Sequence, residues 1–325
     1  MRIAVDIVIP IYNARELARR CIDSVLAHAT GNWRMILVND ASTEAGLDQD
    51  LQHLAQKEPR VLVLKNDTNE GFVRSANRGM RRAAGRDVLL LNSDTEVYSG
   101  FLERLQSCAY AEASVGVVSP LSNNATLCSV PEMGKDNPIP EGFTPQSFAE
   151  LIAAISQRLR PELVTAVGFC MYVKTSVFER IGYFDEMFGR GFGEENDFCE
   201  RAKKAGFKIR LADDVFVLHK GRASFGDEGH DLQSTNARLL EAKQPGYHAA
   251  VARFFEQNPL APIHAALRAA LGDKWRPETP EANAAPQYRS SSWYPAFVRL
   301  KPFLPKAVRV FGRKALVRWE QWKAK

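Results

Sequence analysis

Val88-Leu89-Leu90-Leu91-Asn92-Ser93-Asp94-Thr95-Glu96-Val97 is the stretch on which the fold turns. Four apolar residues in a row after Asp87 read as a strand buried on both faces, as in a parallel sheet. The run stops on Asn92, and two acids follow, Asp94 and Glu96. The rim just past the C-terminal end of a buried strand is where open α/β sheets place their ligands. Carboxylate and amide oxygens at that rim are hard donors, suited to Mg2+ or Mn2+ held together with substrate phosphates. The same residues also fit a plain polar turn, with Asp94 capping the next helix.

On either side of this stretch, strands and helices alternate with short loops. Residues 5–9 are an apolar strand that ends at Pro10, and Ile11-Tyr12-Asn13 follows as a loop. Leu17, Ala18, Cys21, Ile22, Val25 and Leu26 mark one face of a helix over 15–28. Strands are expected at 33–38, 61–64 and 115–118, and helices at 46–57, from Phe72, and at 101–111. The first 120 or so residues therefore read as a doubly wound, mostly parallel sheet. Residues 123–160 carry Pro131, Pro138, Pro140 and Pro145 and read as a long loop holding one helix near 148–155. A strand is expected at 164–173, a helix at 197–205, and two short strands at 208–211 and 215–218, the second ending at His219. The division that follows is a main domain over 1–260, with halves 1–120 and 121–260, and an extension over 261–325.

Composition bounds the class. The chain has 325 residues, 45% hydrophobic and 25% charged, enough for one large α/β domain with an appendage. Its five cysteines are scattered with no Cys-x-x-Cys pair, which argues against a zinc site or disulfide framework and for a reducing, cytoplasmic setting. Asp6 and Pro10 interrupt the apolar start, so it reads as a strand and not a signal peptide. No apolar run approaches the ~18 residues of a membrane span. The net charge of +5 is uneven: residues 296–325 hold nine basic side chains against Glu320, which leaves the rest slightly acidic. Phe303, Phe311, Trp319 and Trp322 lie among those bases. Such a segment fits an interfacial helix on an anionic membrane surface, or a helix packed on the body. Nucleic acid is not among the expected partners.

Four further groups carry chemistry. Asp40 ends the second strand, on the same rim as Asp94, where it can accept hydrogen bonds from a base or ribose or cap the following helix. Gly189-Arg190-Gly191-Phe192-Gly193 is part of a dinucleotide fingerprint by letter only. It follows no first strand and leads into acids, so its glycines read as a tight loop beside a ligand. Glu194, Glu195 and Asp197 come next. Asp197 falls in the first turn of a helix, whose dipole keeps it ionised; Glu194 and Glu195, read as preceding the helix, are freer to reach a substrate hydroxyl. His219, at a strand end, can complete a metal site begun by Asp94.

Together these pieces resemble glycosyltransferase family 2, the inverting nucleotide-sugar enzymes of GT-A fold. The likeness runs through Pro10-Ile11-Tyr12-Asn13, Asn39-Asp40-Ala41-Ser42 and Asn69-Glu70-Gly71-Phe72 with Asn77 and Gly79. It continues in Leu91-Asn92-Ser93-Asp94, the acidic run Glu194-Glu195-Asn196-Asp197, and His219. The resemblance implies a nucleotide site formed by Pro10, Tyr12, Asn13, Asp40, Asn69, Gly71, Asn77 and Ser93. It implies an Mg2+ or Mn2+ site at Asp94, His219 and Asn92, with Asn92 standing where the family has an Asp. Its general base falls at Glu195, where the family usually has Asp, with Glu194 and Asp197 beside it. The implied reaction moves a hexosyl or deoxyhexosyl group from a nucleoside-diphosphate sugar to a hydroxyl of a glycan or lipid-linked glycan, in bacterial surface polysaccharide synthesis. A nucleotidyltransferase would share the sheet but needs a basic phosphate loop near the first strand. A non-catalytic sugar-nucleotide-binding protein would keep Asp40 without the acidic run.

Overall fold

The computed structural model describes residues 3–221 and 229–275. The basic segment 296–325, with its expected membrane helix, lies outside the described residues. In chain order the elements are β1 (Ala4–Ile11), α1 (Arg15–His28), β2 (Asn32–Asn39), α2 (Leu47–Lys57), β3 (Val61–Lys65), α3 (Phe72–Arg82), β4 (Asp87–Leu91) and β5 (Thr95–Glu96). Then come α4 (Phe101–Ala109), β6 (Val115–Ser122), α5 (Pro145–Ile155), β7 (Cys170–Val173), α6 (Thr175–Ile181), α7 (Glu194–Lys204) and β8 (Lys208–His219). Three helices complete the described chain: α8 (Gly229–Lys243), α9 (Tyr247–Gln257) and α10 (Ala261–Leu271).

One sheet of order β3-β2-β1-β4-β7-β6-β8-β5 organises them. β3, β2, β1 and β4 run parallel, which their unbroken apolar runs dictate: Val8, Met35, Leu37, Leu89, Leu90 and Leu91 are fully buried. β7 is antiparallel to β4 and β6, β8 is parallel to β6, and β5 is antiparallel to β8. The antiparallel pairings thus gather on the C-terminal side of β4. Asp6, buried in β1, is balanced by Arg34 Nε at 2.9 Å and Arg86 Nε at 2.6 Å. All five cysteines are buried free thiols. Among the described residues no helix is long and apolar enough to cross a membrane.

Three expectations are corrected. Of residues 164–173, only Cys170–Val173 joins the sheet; Ala166 and Val167 instead turn their N–H groups to Cys199 Sγ and Ser119 Oγ. The two strands expected around Asp213-Asp214 are one, β8, with a register shift between Pro120 and Leu121 of its neighbour. Asp213 sits inside that strand, its carboxylate accepting the backbone N–H groups of Leu159 and Arg160 and the Ser156 hydroxyl. α7 starts at Glu194, not Asp197, so Glu194 and Glu195 belong to its first turn.

α3 lies directly on β1 and β2 because it carries Gly79 at the contact. A Cβ there would clash with Val8 Cγ1 and meet Val38 Cγ2 at 3.1 Å. Gly79→Ala should overpack this contact and cost about 1–3 kcal/mol. The check is urea unfolding, with a lower midpoint at unchanged slope.

Candidate active site

The turn after β4 is closed by Thr95, whose hydroxyl donates to the Asn92 carbonyl at 2.7 Å. β5 then pairs with the end of β8 in the register Thr95 to His219. That pairing brings Asp94 beside His219, with Nε2 3.4 Å from Oδ1. Asp94 does not cap α4, whose N-cap is Gly100. The His219 ring is fixed from behind. Its Nδ1 lies 2.7 Å from the Asn124 carbonyl, and the ring stacks on Phe169 at 5.2 Å between centroids. Asn123 clamps the His219 backbone on both sides, accepting its N–H at 2.8 Å and donating to its carbonyl at 3.1 Å. Burial disfavours a charged imidazole, but the hydrogen bond and charge of Asp94, with the Asn124 carbonyl, outweigh it and raise the His219 pKa.

A cleft of about 290 Å3 opens on this pair, lined also by Pro10, Tyr12, Asp40, Asn69, Gly71, Asn92 and Ser93. Two of its buried oxygens, Asn92 Oδ1 and Asn69 Oδ1, have no hydrogen-bond partner. Unpaired acceptors in a cleft are what a cation or a donor group of a ligand would satisfy. The donor set suits a hard divalent ion: one carboxylate, one imidazole whose other nitrogen is held by a carbonyl, and an amide oxygen. No cluster of three or more His, Cys, Asp or Glu ligands occurs among the described residues.

Asp40 reaches the cleft wall but is largely engaged. It accepts Asn66 Nδ2 at 2.7 Å, the Glu70 N–H at 2.8 Å and the Gly71 N–H at 2.8 Å. It thereby folds the 66–71 loop over the cleft and does not cap α2, whose N-cap is Gly46. Gly71 is needed there: its φ is +85°, and a Cβ would sit 3.1 Å from Arg190 Cα. Asn13 and Asn77 stand behind the wall. Asn13 Oδ1 accepts the N–H groups of Thr43 and Glu44, tying the β1 loop to the β2 loop. Asn77 exchanges two hydrogen bonds with the Phe184 backbone, tying α3 to the loop before α7.

The acids of α7 separate by environment. Asp197 is fully buried and accepts Arg201 Nε at 2.8 Å, Lys243 Nζ at 3.0 Å and Gln244 Nε2 at 2.7 Å. Glu194 is buried with Oε2 unpartnered and lines neither cavity. Burial, with the neighbouring Glu195 charge, holds its pKa well above the ordinary range. Glu195 is half-buried and lines a second cavity of about 250 Å3. Burial raises its pKa too, against the N–H groups of its own turn. Phe192 forms a wall of both cavities and takes a φ of +70° to do so. Asn236 of α8 holds this loop, donating to the carbonyls of Phe188 and Gly191 at 2.8 and 2.7 Å.

The second cavity also holds residues that the sequence reading missed. Thr165, Tyr247 and His248 line it. Tyr247 donates its hydroxyl to Asn196 Oδ1 at 2.8 Å, and His248 Nδ1 lies 2.7 Å from Glu241 Oε2. These side chains come from elements remote in sequence from α7, and none sits in a local motif. The only trace in the sequence is the Tyr247-His248 pair opening a helix.

The sheet order and its flanking helices are those of a GT-A-type fold. Residues 6–182 match the profile of Glycosyl transferase family 2, and the chain belongs to that family. The chain is 31% identical over 204 residues to the low-salt glycan biosynthesis hexosyltransferase Agl10 of Haloferax volcanii, covering 61% of this chain and 62% of that one. It is 33% identical over 113 residues to TuaG of Bacillus subtilis, a glycosyltransferase assigned provisionally to teichuronic acid biosynthesis, covering 33% of this chain and 44% of that one. The chain thus spans less than two thirds of the length of these curated relatives. Among solved structures, GalNAc-T7 with UDP, GalNAc and Mn2+ superposes with a TM-score of 0.59 at 14% identity, over 83% of this chain and 54% of that one.

The environment of Glu194 gives a prediction. Its folded pKa lies above the unfolded value, so the folded state holds a proton that the unfolded chain releases first, and stability falls as pH rises between the two. Glu194→Gln removes that loss. The variant should match wild type in urea midpoint near pH 4, below the ordinary 4.5 of the unfolded glutamate, and exceed it at pH 8. A gain that is equal at both pH values would contradict this environment.

Proposed function

We propose that the protein is a metal-dependent, inverting glycosyltransferase that moves a hexosyl group from a nucleoside-diphosphate sugar to a hydroxyl of a glycan or lipid-linked acceptor. The observation that carries this is the pairing of two cavities across Phe192. One holds hard donors and orphaned acceptors, and the other holds a carboxylate with a raised pKa. Agl10 and TuaG, both tied by name to glycan or polysaccharide synthesis, support surface-glycan synthesis as the setting. The Mn2+ and UDP of GalNAc-T7 support a divalent ion with a nucleotide.

In this reading residues 1–120 form the donor half and 121–260 the acceptor half. Pro10, Tyr12, Asp40, Asn69, Gly71 and Ser93 surround the nucleotide, with Asn13 and Asn77 holding the loops behind them. Asp94 and His219, with Asn92 alongside, hold Mg2+ or Mn2+. When bound, that ion offsets the charge that develops on the departing diphosphate. Glu195 takes the proton from the acceptor hydroxyl as its oxygen attacks the anomeric carbon from the face opposite the diphosphate. The raised pKa makes Glu195 a stronger base than an ordinary carboxylate. Glu194 reaches neither cavity, and Asp197 is saturated by three donors, so neither competes for this proton. Asp197 positions the helix that carries Glu195.

Two experiments test the roles separately. Asp94→Ala should abolish Mn2+-dependent binding of a nucleoside diphosphate by calorimetry; unchanged affinity with and without Mn2+ would remove Asp94 from the site. Glu195→Gln should keep that binding but lower turnover, read as donor hydrolysis or transfer, by roughly 10²–10⁴. In the wild type, kcat/KM should fall with acidification through a pKa above the ordinary 4.5 of a glutamate, because only the ionised form accepts the proton. A Glu195→Gln enzyme of near wild-type rate would place the base elsewhere.

A further inference from the structure

The two cavities leave the outer side of α3 unexplained. Arg74, Arg78, Arg81 and Arg82 recur at i, i+4, i+7 and i+8, so they lie along one side of the helix. All four are exposed, and α3 contains no acidic residue. Arg74, Arg78 and Arg81 line a shallow hollow of about 330 Å3 with Glu70 and Glu186. Glu186 sits between two of them, 3.3 Å from Arg74 Nε and 3.2 Å from Arg81 Nη2. Arg78 turns inward, donating to the Lys65 carbonyl at 2.8 Å and to Asn66 Oδ1, which neutralises none of its charge. The next residue after Glu186, Met187, is 48% exposed. Only Tyr110 and Leu159 are comparable large apolar side chains among the described residues.

We propose that this side of α3, with Met187, is a docking surface for an anionic lipid bilayer. Guanidinium groups suit the phosphodiesters of headgroups, which they bind in bidentate fashion. Each basic residue close to such a surface raises partitioning by roughly fivefold. A soluble polyanion would use the arginines alone, whereas an exposed Met beside them adds the apolar contact that a lipid surface rewards. The surface adjoins the first cavity, because Gly71, the N-cap of α3, and Arg190 line it. Docking would therefore hold the donor cleft close to the headgroup layer. Its use in presenting a lipid-borne acceptor rests on the proposed function; the docking itself does not.

The test uses the full chain, with segment 296–325 unchanged throughout, and sedimentation with vesicles of phosphatidylcholine alone or with one third phosphatidylglycerol. The wild type should partition onto the anionic vesicles only. Arg74→Glu/Arg81→Glu/Arg82→Glu should lower that partitioning by at least about tenfold. Arg238→Glu/Arg253→Glu/Arg268→Glu, an equal charge change placed on α8, α9 and α10, should leave it unaltered. Met187→Ser should weaken it even at raised salt, where charge is screened. Arg78 is left intact because Asn66, its partner, supports Asp40. If the Glu triple variant melts early, the corresponding Gln triple replaces it. Nucleoside diphosphate binding with Mn2+ should be the same in the α3 triple variant as in wild type, which separates this surface from the cleft. Equal loss in both triple variants, binding to neutral vesicles, or capture by soluble polyphosphate but not by vesicles would each overturn the proposal.

Discussion

Asp197, fully buried in the first turn of α7, accepts hydrogen bonds from Arg201, Lys243 and Gln244. A buried carboxylate with fewer donors would shed its charge by taking up a proton. Here three donors and the helix N-terminus keep it paired, and the pairing joins α7 to the end of α8. Arg201 extends the same network to the carbonyls of Ile181 and Tyr183, both at 2.7 Å. The start of α7 is therefore fixed from two sides, and with it the place of Glu195 two residues earlier. Glu195 is delivered to the second cavity by a helix that cannot shift without breaking a buried ion pair, and such breaks cost about 3–5 kcal/mol.

A second constraint sets the other cavity. β5 is only two residues long, yet its pairing with β8 is what puts Asp94 against His219. The Lys220 N–H donates to the Asp94 carbonyl at 3.0 Å, extending the ladder one step past the strand. Asn123 and Asn124, just after β6, then hold the histidine by backbone and ring. Three strand ends meet at one point. The donor oxygens there are presented by sheet geometry, and not by a mobile loop.

What could be read from the sequence follows the range of each interaction. Buried parallel strands announce themselves as apolar runs, so β1 to β4 and the rim residues Asp40, Asn92 and Asp94 were legible. His219 was legible because it closes a strand. The start of α7 was misplaced by three residues, since a helix N-terminus rich in acids and preceded by glycines reads locally as a loop. That shift matters, because it puts Glu195 in the first helical turn, with Oε2 accepting the Gly193 N–H at 3.3 Å. The continuity of β8 through Asp213 is not legible locally, because the partners of that carboxylate at Ser156, Leu159 and Arg160 lie more than fifty residues away. The loop-tying hydrogen bonds of Asn13 and Asn77 run to residues 30 and 107 positions away and are not legible locally. Thr165, Tyr247 and His248 join Glu195 only through long-range packing, and no local pattern marks them.

Among the described residues, Glu195 is the only carboxylate that lines the second cavity, and the proposed reaction is a single displacement that uses it as base. Its most direct test is the anomeric configuration of the sugar released or transferred in the first turnovers, followed by proton NMR before mutarotation. An α-linked donor should give a β product, since one attack from the opposite face inverts the centre. An α product would require a covalent or front-face route and would contradict the account.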